Sequence, residues 1–494
     1  MTTADGPEVG RRISDQMAAR QRPVALIRPN LVDDPAPTVA AAAGESGGRD
    51  RSPGGQLRFA HRFVADQADR LLHVHGVGWH QYDGVRWAEC RDGGQVRAVV
   101  DMVNAAYRDL GDLGGSQRAD LLRDLGRVES AAGINGVLDV AANLHPCTTA
   151  ADAMDADPLL LNTRSGTLHL DDGTVRPPHP ADRLSKVTGA AFDPAARSDA
   201  FEAFLHRVQP DPAMRAFLAR QLGAALVGRV RDHVLHIWHG TGANGKGTLR
   251  DAVRHALGDY VVEVPPDILL LNRYGQQAHA PDRMRLRGAR LAFCSEIASG
   301  AAMNEATMKA LTGGDPVNAK LLYRNPIEFL PSHTLFMLTN HLPRVSADDP
   351  ATWRRIMAVP FAVEVPAAER DPQLPETLHG AADAILAWLW AGWLDYRDHG
   401  LNPPAAVREA TERYRQDVDP LGRFLADEAV IVHGHGSVGS GELYGAFTEW
   451  CRAQGEPTDM TNKTISAALE KRGVTSIRTN KGRRWRGLML CGGQ

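Results

Sequence analysis

The sequence predicts an α/β protein: a phosphate-binding core on a parallel sheet, reached through a helical collar and followed by a winged helix. Three stretches carry this expectation. Val234–Thr248 reads VLHIWHGTGANGKGT, an apolar run, then glycines and a lysine, then the helical pattern LRDAVRHAL. Ala289–Ile297, ARLAFCSEI, is the near-continuous apolar run of a strand buried on both faces. Residues 440–494 read as helix, turn, helix and a basic hairpin.

Strand, glycine loop, lysine and helix is the layout that cradles phosphates. Glycines let backbone N–H groups turn inward, the helix N-terminus adds its positive end, and the lysine reaches the terminal phosphates. The G-x-x-x-x-G-K core falls on Gly240, Gly245 and Lys246, with Gly242 and Asn244 inside it. Gly247 stands where a Ser or Thr usually follows the lysine, so Thr248 is the candidate hydroxyl for Mg²⁺. A plain glycine turn is the competing explanation, and the flanking strand and helix weigh against it. Nucleotide kinases, GTPases and motors share such loops, so the use of the nucleotide must be read further along.

At 494 residues the chain is too long for one core and should hold three or four domains. Its 43% hydrophobic and 23% charged residues are ordinary for a soluble protein. With a net charge of −3 there is no global basic field, so any nucleic-acid site must be a local patch. Five scattered cysteines without a CxxC pair suggest neither a zinc site nor a disulfide framework. No stretch reaches the ~18 apolar residues of a membrane span. The expected location is cytoplasmic.

In chain order, residues 1–55 are rich in Ala, Gly, Pro, Asp and Arg and read as a disordered arm. An N-terminal α+β domain is expected at 56–200. It opens with a helix, then a hairpin around Asp83-Gly84 whose Trp79, Tyr82 and Trp87 should be core. Two short strands are expected around Asp171-Asp172-Gly173. The collar at 201–230 has two helical patterns, the second starting at Asp211-Pro212. The core spans 231–380, a helical connector 381–432, and a glycine-rich link, HGHGSVGSG, precedes the winged helix at 440–494.

Within the core, the strand 289–297 ends in Ser295-Glu296. A carboxylate at the carboxyl end of a parallel strand sits where ligands bind in open α/β sheets. Glu296 could there hold a Mg²⁺ shell or polarise an attacking water, against the plain alternative of a surface ion pair. A helix at Glu305–Leu311 ends in Gly313-Gly314-Asp315, and VNAKLLY and IEFL form a hairpin with Lys320 and Arg324 toward its tip. The strand TLFMLTN ends in Asn340, placed to bond a phosphate or water. Arg354-Arg355 are either solvated charge or a pair reaching a neighbouring subunit's γ-phosphate.

The order of these segments resembles the superfamily 3 helicases, and among them the phage and plasmid primase-helicase family related to the poxvirus primase-helicase. GTGANGKGT, ARLAFCSE, KALTGGDPVNAK, FMLTNHLP and WRRIMAVPF carry the resemblance, all between Gly240 and Phe361. It implies an AAA+-like ring motor, most often a hexamer, with ATP between subunits and DNA in the channel. Lys246 and Thr248 then fall on the first Walker motif and Glu296 on the acidic end of the second. Lys309 with the TGGD segment falls on the motif peculiar to the superfamily. Lys320 and Arg324 lie on the DNA-tracking hairpin, Asn340 matches the polar sensor, Arg355 the arginine finger, and Arg354 is second. Gly247 and Ser295 depart from the usual pattern. The first ~190 residues lack a convincing pair of metal-binding aspartates, so the expectation is a helicase part that relies on a separate primase.

The last segment has Lys463, Arg478, Lys481, Arg483, Arg484 and Arg486 against few acids, with Trp485 interleaved. A basic wing of this kind favours phosphate contacts with duplex or origin DNA over base reading. The functional expectation is an ATP-dependent DNA helicase or translocase acting as a homo-oligomeric ring. A nucleotide kinase and an ATP-regulated DNA-binding switch are the rivals.

Overall fold

The computed structural model describes residues 54–271, 280–295, 297–320, 326–456, 460–480 and 482–491. The expected arm lies outside them except for its last two residues, as do Glu296, Arg324 and Lys481.

The described chain opens with α1 (Gly55–Gln67), then β1 (Leu71–Val74), β2 (Gly78–Tyr82) and β3 (Trp87–Glu89). Asp83 closes the β2–β3 turn by accepting from the backbone N–H groups of Val85 and Arg86 at 2.9 and 2.8 Å. Helices α2 (Gly94–Asp109), α3 (Gly115–Val128) and α4 (Ala131–Ala141) pack with α1 around Phe59, Phe63, Val99, Met102 and Leu125. β4 (Thr148–Thr149) joins the sheet edge, giving the order β3-β2-β1-β4. Trp87 is buried and Trp79 meets Phe63 edge to face at 5.7 Å, so these two expected core aromatics are core. Two strands were expected around Asp171; three form, β5 (Leu160–Thr163), β6 (Gly166–His169) and β7 (Val175–Arg176). Gly166, at φ 138°, makes the additional turn.

Collar helices α5 (Asp199–Val208) and α6 (Pro212–Ala224) start where their caps dictate. Ser198 accepts from Phe201 N–H at 3.3 Å, and Asp211 from Ala213 N–H at 2.8 Å with Pro212 at the first helical position. The chain then enters the main sheet through β8 (Leu235–His239) and turns into α7 (Lys246–Leu257). β9 (Val261–Val264), α8 (Ala280–Met284), β10 (Leu291–Ser295), α9 (Glu305–Leu311), the antiparallel pair β11 (Val317–Ala319) and β12 (Ile327–Phe329), β13 (Thr334–Thr339), α10 (Pro350–Trp353) and β14 (Ile356–Pro360) follow.

The five long strands are all parallel, in the order β14-β8-β13-β10-β9. From β8 the chain jumps to the far edge, works back inward, and finally passes β8 to its other side. Strand β8 is thus the switch point, and ligands bind beyond the carboxyl ends of strands at such points. Both sheet faces are covered. Trp238, Phe293 and Phe336 face α5, α6 and α7, while Ile237, Ala292, Cys294 and Met337 face α9, Trp353 and Tyr414.

After the sheet come α11 (Leu374–Gly380), α12 (Ala382–His399), α13 (Ala405–Asp417) and α14 (Pro420–Ala426). Helix α12 lies directly on α6. A Cβ at Gly392 would stand 2.0 Å from the Ala219 carbonyl oxygen, and one at Gly223 would stand 2.3 Å from the Trp393 nitrogen. Two glycines therefore let the backbones touch. Trp393, buried at the crossing, donates to the Leu170 carbonyl at 2.8 Å.

The C-terminal module is β15 (Ile431–Gly439), α15 (Ser440–Gln454), α16 (Asn462–Lys471), β16 (Ser476–Thr479) and β17 (Gly482–Leu490), in sheet order β15-β17-β16. The glycine-rich stretch expected to be a link is instead most of strand β15. Its backbone is paired to β17, and a Cβ at Gly436 would stand 2.1 Å from Met489, so glycine serves close packing there. Among the described residues, no helix is long and apolar enough to cross a membrane.

The α6–α12 crossing yields a stability prediction. Gly392→Val should destabilise the fold by about 3 kcal/mol or more, through overpacking against backbone that cannot yield. Gly445→Ala, on an exposed helix position with nothing within 4 Å, should be neutral or slightly stabilising. Urea unfolding of both variants checks the contrast, and equal midpoints would contradict it.

Candidate functional site

The glycine loop leaves β8 at the carboxyl edge of the sheet and needs its glycines for separate reasons. Gly242 and Gly245 sit at φ 116° and 82°, with Ala243 also left-handed at 49°. A Cβ on Gly245 would come within 2.4 Å of Val208, and one on Gly240 within 2.3 Å of the Phe361 carbonyl oxygen. Gly247 meets nothing within 4 Å, so its lack of a side chain is not a packing demand.

The loop is braced from outside. Asn244 is 3% exposed and its amide donates to the Phe361 carbonyl at 3.1 Å, while Val365 N–H donates to the Ala243 carbonyl at 2.9 Å. The chain leaving β14 therefore fixes the loop that leaves β8. Thr248 lies half-buried in the first turn of α7.

Lys246 sits at the centre, 6% exposed. Its ammonium donates to the Gly240 carbonyl at 2.8 Å, to Asn244 Oδ1 at 3.1 Å and to Asn340 Oδ1 at 3.4 Å. All three acceptors are neutral. Among the described residues no carboxylate lies within 4 Å of it, and burial draws its pKa from 10.5 down to about 8. The structure thus brings together Gly240, Asn244, Lys246 and Asn340 from β8, α7 and β13. Arg250, one turn along α7 from Lys246, donates to Ser295 Oγ at 3.2 Å and ties the end of β10 to the same helix. Arg250 was missed in the sequence, although its i+4 spacing from Lys246 was visible.

Arg354 and Arg355 are elsewhere. Arg355 immediately precedes β14, and its carbonyl accepts from Leu235 N–H at 2.7 Å, at the start of β8. The glycine loop begins beyond the other end of that strand, about 13 Å away at a strand's rise per residue. Arg355 is half-buried and Arg354 exposed.

The turn that carries them is pinned by charge. Lys309 pairs with Asp349 and lies 3.9 Å from Glu305. The Lys309 ammonium holds the Asp349 carboxyl down to about 2. Glu305 accepts from Ser346 N–H and the Thr352 hydroxyl, both at 2.7 Å. Lys309, expected near DNA, has its charge engaged inside this turn, whereas Lys320 is exposed beside the β11–β12 hairpin.

The C-terminal basic residues divide similarly. Arg484 donates to Ser437 Oγ at 3.0 Å, and Arg483 pairs with Glu470 and lies over the Trp485 ring at 4.7 Å. Lys463, Arg478 and Arg486 are exposed. Arg472 bridges Asp348 at 2.8 Å and Asp419 at 2.6 Å, binding this module to the arginine turn and to α14.

The fold and site define an α/β protein with a glycine loop and a buried lysine, held by neutral oxygens, at the carboxyl edge of a parallel sheet. Residues 56–210 match the family described as D5 N terminal like, and residues 238–355 match a family of unknown function, DUF5906. A protein of Acanthamoeba polyphaga mimivirus named "Putative helicase" is 27% identical over 76% of this chain and 43% of its own length. A second, of Frog virus 3 and also named a "Putative helicase", is 23% identical over 80% of this chain and 54% of its own. An African swine fever virus protein named "Putative primase" is 23% identical over 64% of this chain and 36% of its own. These matches together fit a primase-helicase family of the D5-like kind, and the chain spans about half the length, or less, of these relatives. The solved apo A form of the NrS-1 C-terminal region covers 89% of the chain at a TM-score of 0.53 and 10% identity, a likeness of fold.

The lysine makes a proton-linkage prediction. Its folded pKa lies below the unfolded value, so the cost of the buried charge is fully present below pH 8 and fades between about 8 and 10.5. An anion at the loop favours the charged form. Tripolyphosphate binding at pH 8 should therefore take up part of a proton and weaken as pH rises further. Calorimetry in two buffers of different ionisation heat measures the uptake, and identical heats would count against it.

Proposed function

We propose that this chain is an ATP-dependent DNA helicase or translocase that works as a ring-shaped oligomer in replicating a viral or mobile genome. The observation that carries the reading is Lys246: a buried ammonium surrounded by neutral oxygens, on a glycine loop at the switch point of a parallel sheet. Such a charge is costly unless an anion completes its surroundings. The polyphosphate of ATP fits that need, and the left-handed backbone at Gly242 and Gly245 gives the loop the turn such a ligand requires. The names of the viral relatives support a nucleic-acid substrate.

In this reading the core is an AAA+-like P-loop domain of superfamily 3, and α15, α16 and the β16–β17 hairpin are a winged helix. The half-buried Thr248 hydroxyl and Glu296 would hold Mg²⁺, which when bound would neutralise phosphate charge. Asn340 would orient the terminal phosphate or the attacking water beside Lys246. Arg355 lies a strand's length from its own loop, so its role is in the site of a neighbouring subunit, with Arg354 second. There a guanidinium would stabilise transition-state charge, an effect of about 10³–10⁵ in rate for arginine fingers. Lys320 and Arg324 would hold single-stranded DNA, and Lys463, Arg478, Lys481 and Arg486 duplex phosphates, with Arg483 and Arg484 bracing the hairpin that carries them. A separate primase would supply the primer.

ATP hydrolysis with and without single-stranded DNA, with particle mass recorded in the same samples, tests this. DNA stimulation at a ring-sized mass is the expected result. Phosphate transfer to a nucleoside monophosphate would favour a kinase instead, and DNA binding without turnover an ATP-regulated switch. Lys246→Ala should abolish turnover. Arg355→Ala should bind ATP and lose at least about a thousandfold in rate. Mixing the two inactive variants should recover partial activity through mixed sites; no recovery over a range of ratios would sink the shared site.

A further inference from the structure

At the opposite end of β8 from the glycine loop, the segment entering the strand presents arginines to an open pocket of about 540 Å³. Arg229, Val230 and Arg231 line it together with Tyr396, Arg397 and Gly400 from the end of α12 and just beyond. Three of these six residues are arginines and none is acidic.

The arginines are held in place by contacts that give their charge no close ion-pair partner, Asp232 and Asp171 acting on Arg231 only from further off. The Arg231 guanidinium lies 4.8 Å from the centre of the Trp393 ring and 5.7 Å from that of Tyr396. Stacking fixes a guanidinium without neutralising it. Burial, and then Arg229, pull the Arg231 pKa below its usual value. Asp232, the acid of this segment, instead accepts from the Tyr396 hydroxyl at 2.8 Å, and burial raises its carboxyl pKa. Arg397 donates to the Asp171 carbonyl oxygen, a neutral acceptor, at 2.6 Å. Among the described residues no carboxylate lies within 4 Å of Arg229, Arg231 or Arg397. Like charges gathered without a close ion-pair partner repel, and an anionic ligand relieves that cost.

The segment that supplies two of these arginines goes on to touch the turn that leads into the β11–β12 hairpin. Two residues after Arg231, His233 Nδ1 lies 3.1 Å from the Thr312 carbonyl oxygen, and its ring lies 3.8 Å from where Gly314 would carry a Cβ. Thr312–Asp315 lead into β11 and Lys320. The basic pocket and the exposed lysine are thus linked through one pair of touching turns.

We propose that Arg229, Arg231 and Arg397 form a binding site for the sugar–phosphate backbone of a nucleic-acid strand, continuous with the hairpin that carries Lys320. This rests on the DNA-binding reading above and adds a phosphate contact that neither the glycine loop nor the C-terminal module supplies. Phosphate contacts of this kind set affinity and its salt dependence, not sequence preference.

The test uses the full chain and a fluorescent oligothymidylate, with binding followed by anisotropy across a salt series. Arg229→Gln/Arg397→Gln removes two exposed charges without taking packing from the core. Its plot of log affinity against log salt should be shallower by about 1.4, two single-strand phosphate contacts. Affinity at low salt should fall about tenfold, with an unchanged thermal midpoint. Arg231→Lys, which keeps charge but loses the planar stack, should show a smaller affinity loss at nearly the same slope. An abasic oligomer of equal length should lose the same slope, because phosphates are what is recognised.

An unchanged slope in the double variant would overturn the pocket and leave the DNA reading standing. No binding by the wild-type chain would overturn both. Loss of oligomer mass with an intact slope would make the pocket a contact between subunits, and weakened binding of tripolyphosphate alone would make it a small-anion site. Either result overturns the proposal.

Discussion

The architecture around the site depends on keeping one ammonium group buried without a carboxylate beside it. Lys246 is tolerated there because three neutral oxygens converge on it from Gly240, Asn244 and Asn340. Each of those oxygens has its own support. Asn244 is tied to the end of β14 through Phe361, and Asn340 follows directly on β13. Gly240 can approach Phe361 only because it has no side chain. The parallel sheet, with β8 between β13 and β14, is the geometry that delivers all three together. Neutral acceptors leave the positive charge seeking an anion, whereas a carboxylate partner would have satisfied it.

The charged residues that looked interchangeable in the sequence fall into two kinds. Lys309, Arg472, Arg483 and Arg484 use their charge internally, each with an acid or main-chain oxygen of this chain. Lys320, Lys463, Arg478 and Arg486 are exposed. Internal pairs hold the arginine turn and the C-terminal module in register with the core. Exposed cations remain available to a polyanion, at a modest energetic cost for each.

Much of this was legible in the sequence, because local rules were enough. The glycine loop, the apolar run of β10, the Asp211-Pro212 helix start and the Asp83-Gly84 turn each follow from backbone preferences within a few residues. The convergence of Asn340 on Lys246 could be guessed only from its position at a strand end. What could not be read depended on long-range placement. Glycines in β15 looked like a linker because their pairing partner, β17, lies some fifty residues on. Arg250 and Ser295 meet only once β10 lies beside α7. The clustering of Arg229, Arg231 and Arg397 needs α12 laid across α6, and nothing near either segment announces that crossing.

That crossing also bears on how the chain can be divided. Helix α6 precedes the parallel sheet and α12 follows it, yet Gly223 and Gly392 let the two backbones interlock over the same face. Trp238, Phe293 and Phe336 are covered by helices drawn from both sides of the sheet in sequence. A fragment cut at residues 231 and 380 would keep every strand of the sheet and α7, yet lose α5, α6 and α12 from that face. The central region is motif-complete but shares its hydrophobic core with helices on both sides of it in sequence. A fragment that keeps this core whole carries the collar and the first long helix after the sheet along with it.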